Sequence, residues 1–320
     1  MTTQRTITAI LTIFIFIFII PSLYSFASSL NTITIGKNIN SNQQKEILDF
    51  FNPSSDTYTL LNIKENDLIP YRNLLKNTTE NKHLSCAYVQ PTNEGGINIK
   101  TINLTYITNY LLSNALITSG IDNLNAVIAS PSQISGLYSF PSIILAYENC
   151  TGKTIAPEKI KLSISLMDLI LKISSSEDIS QTRLSMVFAI IENDIIQGSD
   201  VSNTVNSTLE NHDIALSTTE TDDIVDLMTE IQQQSYNKSS TETSLDELTL
   251  KIKCKLQKNG QLYGLFNNIY VFLYRAKSKI EDYFSSSNSS NSIFKTINEN
   301  STLAQTAVHT GDSTLVDILN

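Results

Sequence analysis

Cations, cysteines and histidines are all scarce in this chain of 320 residues, and each scarcity closes off a class of function. Only 22 Lys and Arg stand against 31 Asp and Glu, a formal charge of −9, so the chain as a whole is a poor binder of nucleic acid. Its three cysteines, Cys86, Cys150 and Cys254, are spaced too widely for any zinc motif. At most one disulfide can form, as between Cys86 and Cys150, and the plainer reading is three half-buried small apolar residues. His83, His212 and His309 have no second His or Cys nearby. No metal or cofactor site is therefore encoded as a local motif. Long apolar runs are also rare, and the one exception is at the start.

Arg5, an apolar run over residues 9–20, Pro21 and then Ser25-Phe26-Ala27 have the three regions of a secretory signal peptide. Small residues at the −3 and −1 positions set cleavage between Ala27 and Ser28. A retained anchor is the rival reading, but the run is only about half of the ~20 residues that span a bilayer. Removal of residues 1–27 takes one Arg and no acid, leaving a secreted or envelope protein with no transmembrane segment.

The remaining sequence divides by pattern into a mixed α/β region, a helical region and a tail. Over residues 31–155, short β-like runs (TITIG, TYTLLNI, SCAYVQP, GINIKTI, LNAVIA) alternate with helical ones. Ser41 is placed to cap the first helix, whose Ile47, Leu48 and Phe51 share a face, and Pro53 stops it. SCAYVQP and GINIKTI, joined by TNEGG, read as a hairpin. A helix ending at Gly120 and another over residues 140–149 complete a mixed sheet with crossovers. Over residues 156–284 the strand signal vanishes. Pro157 begins one helix with Ile160, Ile164, Met167 and Leu171, and Ser176 begins a second that Gly198 ends. DVSNTVNSTLENHDIALS reads as a polar loop, and Thr221 opens a third helix with Ile224, Leu227, Met228 and Ile231. Residues 248–260 alternate like a strand, but a Ser244/Glu247 capping box and the spacing of Leu245, Leu248, Ile252 and Leu256 make them a helix. A further helix, residues 261–284, precedes SSSNSSNS and a flexible polar tail, residues 285–320. The fold class is α+β, a mixed α/β domain followed by a helical domain.

The stretches TIGKNINSNQQKEILDFF, YVQPTNEGGINIKTINLTYIT and NALITSGIDNLNAVIASP resemble the DUF-1002 family of secreted proteins from spore-forming Gram-positive bacteria. The resemblance is close over residues 33–155 and looser in the helical half. It implies secretion and the two-part layout. The family has no assigned activity, so the resemblance transfers no catalytic residue.

The chemical candidates that remain are weak ones. Ser130, Ser132 and Ser135 lie in a strand-to-helix loop with Gly136, yet the G-x-S-x-G of a nucleophile elbow is missing. The structural reading is that Ser135 or Ser139 caps the next helix and Gly136 permits the turn. Gly152-Lys153-Thr154 matches half a phosphate loop, but Tyr147 stands where its first Gly is needed, and it follows a helix instead of leading into one. Asp222, Asp223, Asp226 and Glu230 are acids that suit a helix N-terminal half.

Charge order is the stronger signal. Residues 205–250 hold ten acids and one Lys, whereas residues 251–280 hold seven cations and no acid. Either the basic helix packs beside the acidic one, or Lys251, Lys253, Lys255, Lys258, Arg275, Lys277 and Lys279 form a face for an anionic cell-wall polymer or a membrane surface. The internal pairing is the simpler reading, since residues 262–274 are apolar nearly all round. The sequence thus reads as a secreted or cell-envelope protein, more an interaction protein than an enzyme. A hydrolase or ligand-binding domain whose site no local motif reveals is the alternative.

Overall fold

In a computed structural model, residues 31–54, 58–76, 80, 82–258 and 292–307 are described, and they are built around one five-stranded sheet with the order β2-β1-β3-β5-β4. Strand β1 (Asn31–Ile35) leads through helix α1 (Ser41–Phe51) to β2 (Tyr58–Asn62). A 3-10 turn (Glu65–Tyr71) and the short helix α2 (Arg72–Leu75) then precede β3 (Cys86–Pro91). The cap of α1 is Asn40, one residue before the expected Ser41. Its side chain accepts from the Asn42 and Gln43 amides while Gln43 returns to the Asn40 amide, so both partners of a capping box are present. Asn52, left-handed at φ 41°, closes the helix.

Strands β3 and β4 (Ile97–Leu104) are not the hairpin their connection suggests. Strand β5 (Leu124–Ile134) lies between them, antiparallel to β3 and parallel to β4. Residues 124–130 are buried without a break, and a strand apolar on both faces gains most from a central place. The TNEGG loop only has to cross two strand spacings, about 10 Å, and its glycines permit that as readily as a tight turn. As a result β1, β2, β4 and β5 share one direction and β3 opposes them.

One face of the sheet packs Ile33, Ile35, Tyr88, Ile102 and Val127 against Ile47, Phe50 and Phe51 of α1. The segment expected to be a polar tail contributes to this face. Its 3-10 turn (Ile293–Lys295) and helix α10 (Thr302–Thr306) bury Ile293, Ile297 and Leu303 there. Asn298 N donates to Phe50 O at 2.9 Å, and Thr296 Oγ1 donates to Phe51 O at 3.0 Å. Three apolar side chains at irregular intervals suffice for docking but leave no periodic mark on the sequence.

The other face is covered by α3 (Asn109–Thr118) and α4 (Ser139–Thr151), and beyond them by α5 (Pro157–Ser176), α6 (Gln181–Gln197), α7 (Val201–Asn211), α8 (Thr218–Gln232) and α9 (Lys238–Lys258). A single cluster of buried residues runs from Tyr71 and Val89 through Met167 and Phe188 to Leu256. It therefore crosses the boundary expected at residues 155–156. Helix α6 is capped by Ser180, whereas the expected Ser176 ends α5.

The expected polar loop is α7, capped by Asp200, whose carboxylate accepts from Asn203 N at 2.9 Å. Its buried positions are Val201, Thr204, Val205, Thr208 and Leu209. Two of the five are threonines, which conceal the helical period. Helix α9 forms as expected but starts earlier, and Ser244 lies inside it, donating to Asp122 O at 2.6 Å. Leu245, Leu248, Ile252 and Leu256 are its buried stripe. The helix expected over residues 261–284 lies outside the described residues. Among the described residues, no helix is long and apolar enough to cross a membrane.

Candidate functional site

The carboxyl ends of β1, β2, β4 and β5 open on the same edge of the sheet, where α/β proteins place their ligands. The loop singled out in the sequence sits there in altered form. Strand β5 continues through Ser130 to Ile134 and pairs again with β4 at Leu104, past an irregularity at Asn103, whose φ is 64°. Asn103 Nδ2 holds this bulge by donating to Ser130 O at 2.9 Å. Neither Ser135 nor Ser139 caps α4. Tyr138 occupies the cap position and makes no side-chain cap bond. Gly136 is required here, since its φ is 96° and a Cβ would stand 2.9 Å from Leu104 Cγ.

Folding brings His83, just before β3, onto the first turn of α4. Its ring stacks on Tyr138 with centroids 4.5 Å apart, and its Nε2 lies 3.1 Å from Ser142 Oγ. Ser85 Oγ and Ser139 Oγ meet alongside at 3.1 Å. His83 and Ser142 are buried, and burial pushes the His83 imidazole down to about 4. It is therefore neutral near pH 7. Outside this core, Lys37 pairs with Glu65 and holds that carboxylate below its ordinary range. Glu80 accepts the Ser135 amide.

A serine beside a histidine invites a catalytic reading, and a competing acceptor stands against it. Ser142 Oγ is also 2.8 Å from Tyr138 O, a carbonyl that can only accept and so competes with His83 for the hydroxyl proton. With that proton on Tyr138 O, Nε2 donates to Ser142 and the unprotonated nitrogen is Nδ1, buried without a partner; the other tautomer reverses the His83–Ser142 bond. In the first arrangement His83 gives a hydrogen bond to the serine and does not take its proton, the reverse of a catalytic base. Sequence reasoning left His83 unassigned because its partners lie 59 residues away. No local signal marks the pairing.

A second buried polar cluster joins α3 to α6. Glu192 is fully enclosed and bonded by Thr118 Oγ1 at 2.8 Å, while that hydroxyl is also 3.0 Å from Asn114 O. One hydroxyl proton cannot serve both. A protonated Glu192 that donates to Thr118 satisfies the pair, in keeping with burial pushing this carboxyl up to about 8. Asn114 Nδ2 donates to Ser185 O at 3.2 Å. Glu192 Oε1, Asn114 Oδ1 and Ser185 Oγ remain buried without partners.

The cationic face fares unevenly. Lys251 is turned inward, with Nζ donating to Ile97 O and Asn98 Oδ1 at 3.0 Å each, and burial pushes it down to about 8. Lys253 and Lys255 are half-buried, and Lys258 is the last residue of α9. Arg275, Lys277 and Lys279 lie outside the described residues, as do Ala27 and Ser28. Two acids of α8 pair with α5: Lys172 meets Asp223 at 2.7 Å and Lys161 meets Glu230 at 3.8 Å. Gly152 of the GKT triplet is the left-handed cap of α4. Cys86 and Cys150, both buried, are not joined in a disulfide. Among the described residues, no three His, Cys, Asp or Glu side chains gather as metal ligands.

Comparison with known proteins places this architecture. The family model described as "Protein of unknown function (DUF1002)" matches residues 35–248. The uncharacterised protein YpuA of Bacillus subtilis (strain 168) is 20% identical over 229 residues, covering 69% of this chain and 78% of that protein. No solved structure matches. The matched span begins in β1 and ends within α9, taking in both the sheet edge and the helical cluster, and the chain belongs to the DUF1002 family of proteins of unknown function.

Proposed function

We propose that the protein acts outside the cytoplasm, in the cell envelope or beyond it, as an interaction protein whose work is contact and not turnover. What supports this reading is that Ser142 Oγ lies closer to Tyr138 O, at 2.8 Å, than to His83 Nε2, at 3.1 Å. Tyr138 O thus competes for the Ser142 hydroxyl, and the His83–Ser142 contact holds α4 to the start of β3. The signal-peptide pattern of residues 1–27 supports export. Within the cationic segment, Lys253, Lys255 and Lys258 on α9 are the candidates for contact with an anionic wall polymer or membrane surface, with Lys251 left to its internal bonds.

Two measurements test this. Secreted or envelope-bound protein should begin at Ser28 by mass spectrometry, and an intact Met1 terminus defeats the cleavage. The purified protein should co-sediment with phosphatidylglycerol vesicles or with wall polymer, and less so as salt shortens the screening length to about 8 Å near physiological ionic strength. Replacing Lys253, Lys255 and Lys258 with Gln should abolish that binding at unchanged thermal stability. Binding that survives the triple change places the contact elsewhere.

The alternative, a small-ligand or hydrolytic site, draws on one observation, the unpartnered Nδ1 of His83 beside the first turn of α4. Hydrolysis of p-nitrophenyl esters that disappears in both His83→Gln and Ser142→Ala would establish this reading and displace the first.

A further inference from the structure

The two edges of the sheet are finished differently. At the β4 edge every residue of Ile97–Leu104 is buried. Two of the outward carbonyls there are capped by the chain itself, Ile97 O by Lys251 Nζ at 3.0 Å and Ile99 O by Asn109 Nδ2 at 3.4 Å. At the other edge β2 pairs with β1 alone. Ile63 N donates to Ile35 O at 3.0 Å, so the alternation of a strand turns Thr59 and Leu61 toward β1. The amides and carbonyls of Tyr58, Leu60 and Asn62 then face outward, and among the described residues none of them has a partner.

Open edges are ordinarily blunted by a charge, a proline or a bulge. The strand YTLLN has none of these. Leu60, 37% exposed, sits at its centre. It is in register with Ile33, so it shares the α1 face with Tyr58, which already packs against that face's core. The first charges past the strand are Lys64 and Glu65, one of each sign, and Glu65 is engaged by Lys37.

From this we infer that β2 is a self-association edge, at which a second copy of the chain adds its own β2 antiparallel across a two-fold axis through Leu60. That register sets Leu60 against Leu60 and Tyr58 against Asn62. The outward groups are the ones that bond in such pairs, giving up to about six backbone hydrogen bonds. Like charges meet nowhere between Tyr58 and Asn62. A second copy fits better than an unrelated peptide because the strand is complementary to itself, in composition and in the parity of its free groups. Because the β4 edge is closed, the association stops at a symmetric dimer instead of growing into a fibre.

Sedimentation equilibrium of the full-length protein over a wide concentration range, with Leu60→Lys beside it, tests the assignment. The native chain should show a monomer–dimer equilibrium that Leu60→Lys weakens about tenfold or more, since two cations then face each other on the axis. Leu60 is exposed, so the variant should melt as the native protein does. Leu60→Cys supplies an independent reading. Directly opposed residues in such a pair have Cα atoms about 5.5 Å apart, within disulfide reach, so mild oxidation should give a covalent dimer that the native thiols do not give. A monomer at all concentrations without cross-linking overturns the inference. So does a dimer untouched by Leu60→Lys, or a monomer that captures an extended peptide at this edge.

Discussion

His83 and Glu192 are both buried, both ionisable and both neutral near pH 7, yet they are built into the protein in different ways. His83 stands in a shell of serines, stacked on Tyr138, with one nitrogen bonded and one free. Glu192 has a single hydroxyl for a partner, and its own Oε1, Asn114 Oδ1 and Ser185 Oγ lack any. The imidazole is read as a tie between the start of β3 and α4. The carboxyl is a neutral acid sealed between helices, where ionisation has no cation to receive it. Burial moves the base down and the acid up, so the two respond to pH with opposite sign.

The largest consequence belongs to Glu192. Its carboxyl is raised in the fold from 4.5 to about 8, so its contribution is complete below pH 4.5 and is lost as pH climbs to 8. Across that window the native protein should lose about 1.4 kcal/mol per pH unit relative to Glu192→Gln, roughly 5 kcal/mol in all. Urea melts of both proteins at several pH values check this, and parallel curves would show that Glu192 does not titrate in the fold.

The mirror image is expected of His83, lowered in the fold from 6.5 to about 4. Its contribution is complete above pH 6.5 and is lost as pH falls through 4. Relative to His83→Gln the native protein should weaken by about 3 kcal/mol over that interval. An imidazole proton signal titrating near 6.5 by NMR would contradict the enclosed, neutral ring.

Smaller effects separate the two surroundings. Ser142→Ala leaves the His83 Nε2 proton buried and unpaired, a loss of about 2 kcal/mol by thermal melting. If the hydroxyl were instead a free nucleophile, stability would hardly change. Thr118→Val should cost about 1 kcal/mol and move the Glu192 transition further upward, because the hydrogen bond it removes favours the ionised form. A downward move would mean that Thr118 accepts from the protonated carboxyl and does not turn to donate to the ionised one.

What could be read in advance followed from how local each feature is. The strands around Ile33, Tyr88 and Val127, the stripe of Leu245, Leu248, Ile252 and Leu256, and the left-handed ends at Gly152 and Gly198 are encoded within one or two turns of chain. The caps at Asn40 and Ser180 were missed by one and four residues, because several Ser and Asn side chains stand near each helix start and only the backbone angle chooses among them. Helix α7 escaped notice because Thr204 and Thr208 fill positions where a leucine would have shown the period. The β3–β4 hairpin was misjudged because a glycine turn fixes where a chain bends and not which strand enters beside it.

The sequence by itself determined the α+β class, the family and the position of most elements along the chain, since hydrophobic period, propensity and turn chemistry act over a few residues. Tertiary structure alone decided that β5 parts β3 from β4, that residues 292–307 close one face of the sheet, and that Lys251 turns inward to a sheet edge. It also decided that His83 meets Ser142 and Glu192 meets Thr118. The reason is the same in each case. These pairings join residues dozens to hundreds of positions apart, and their energy comes from desolvation and hydrogen bonding that exist only once the core has closed around them.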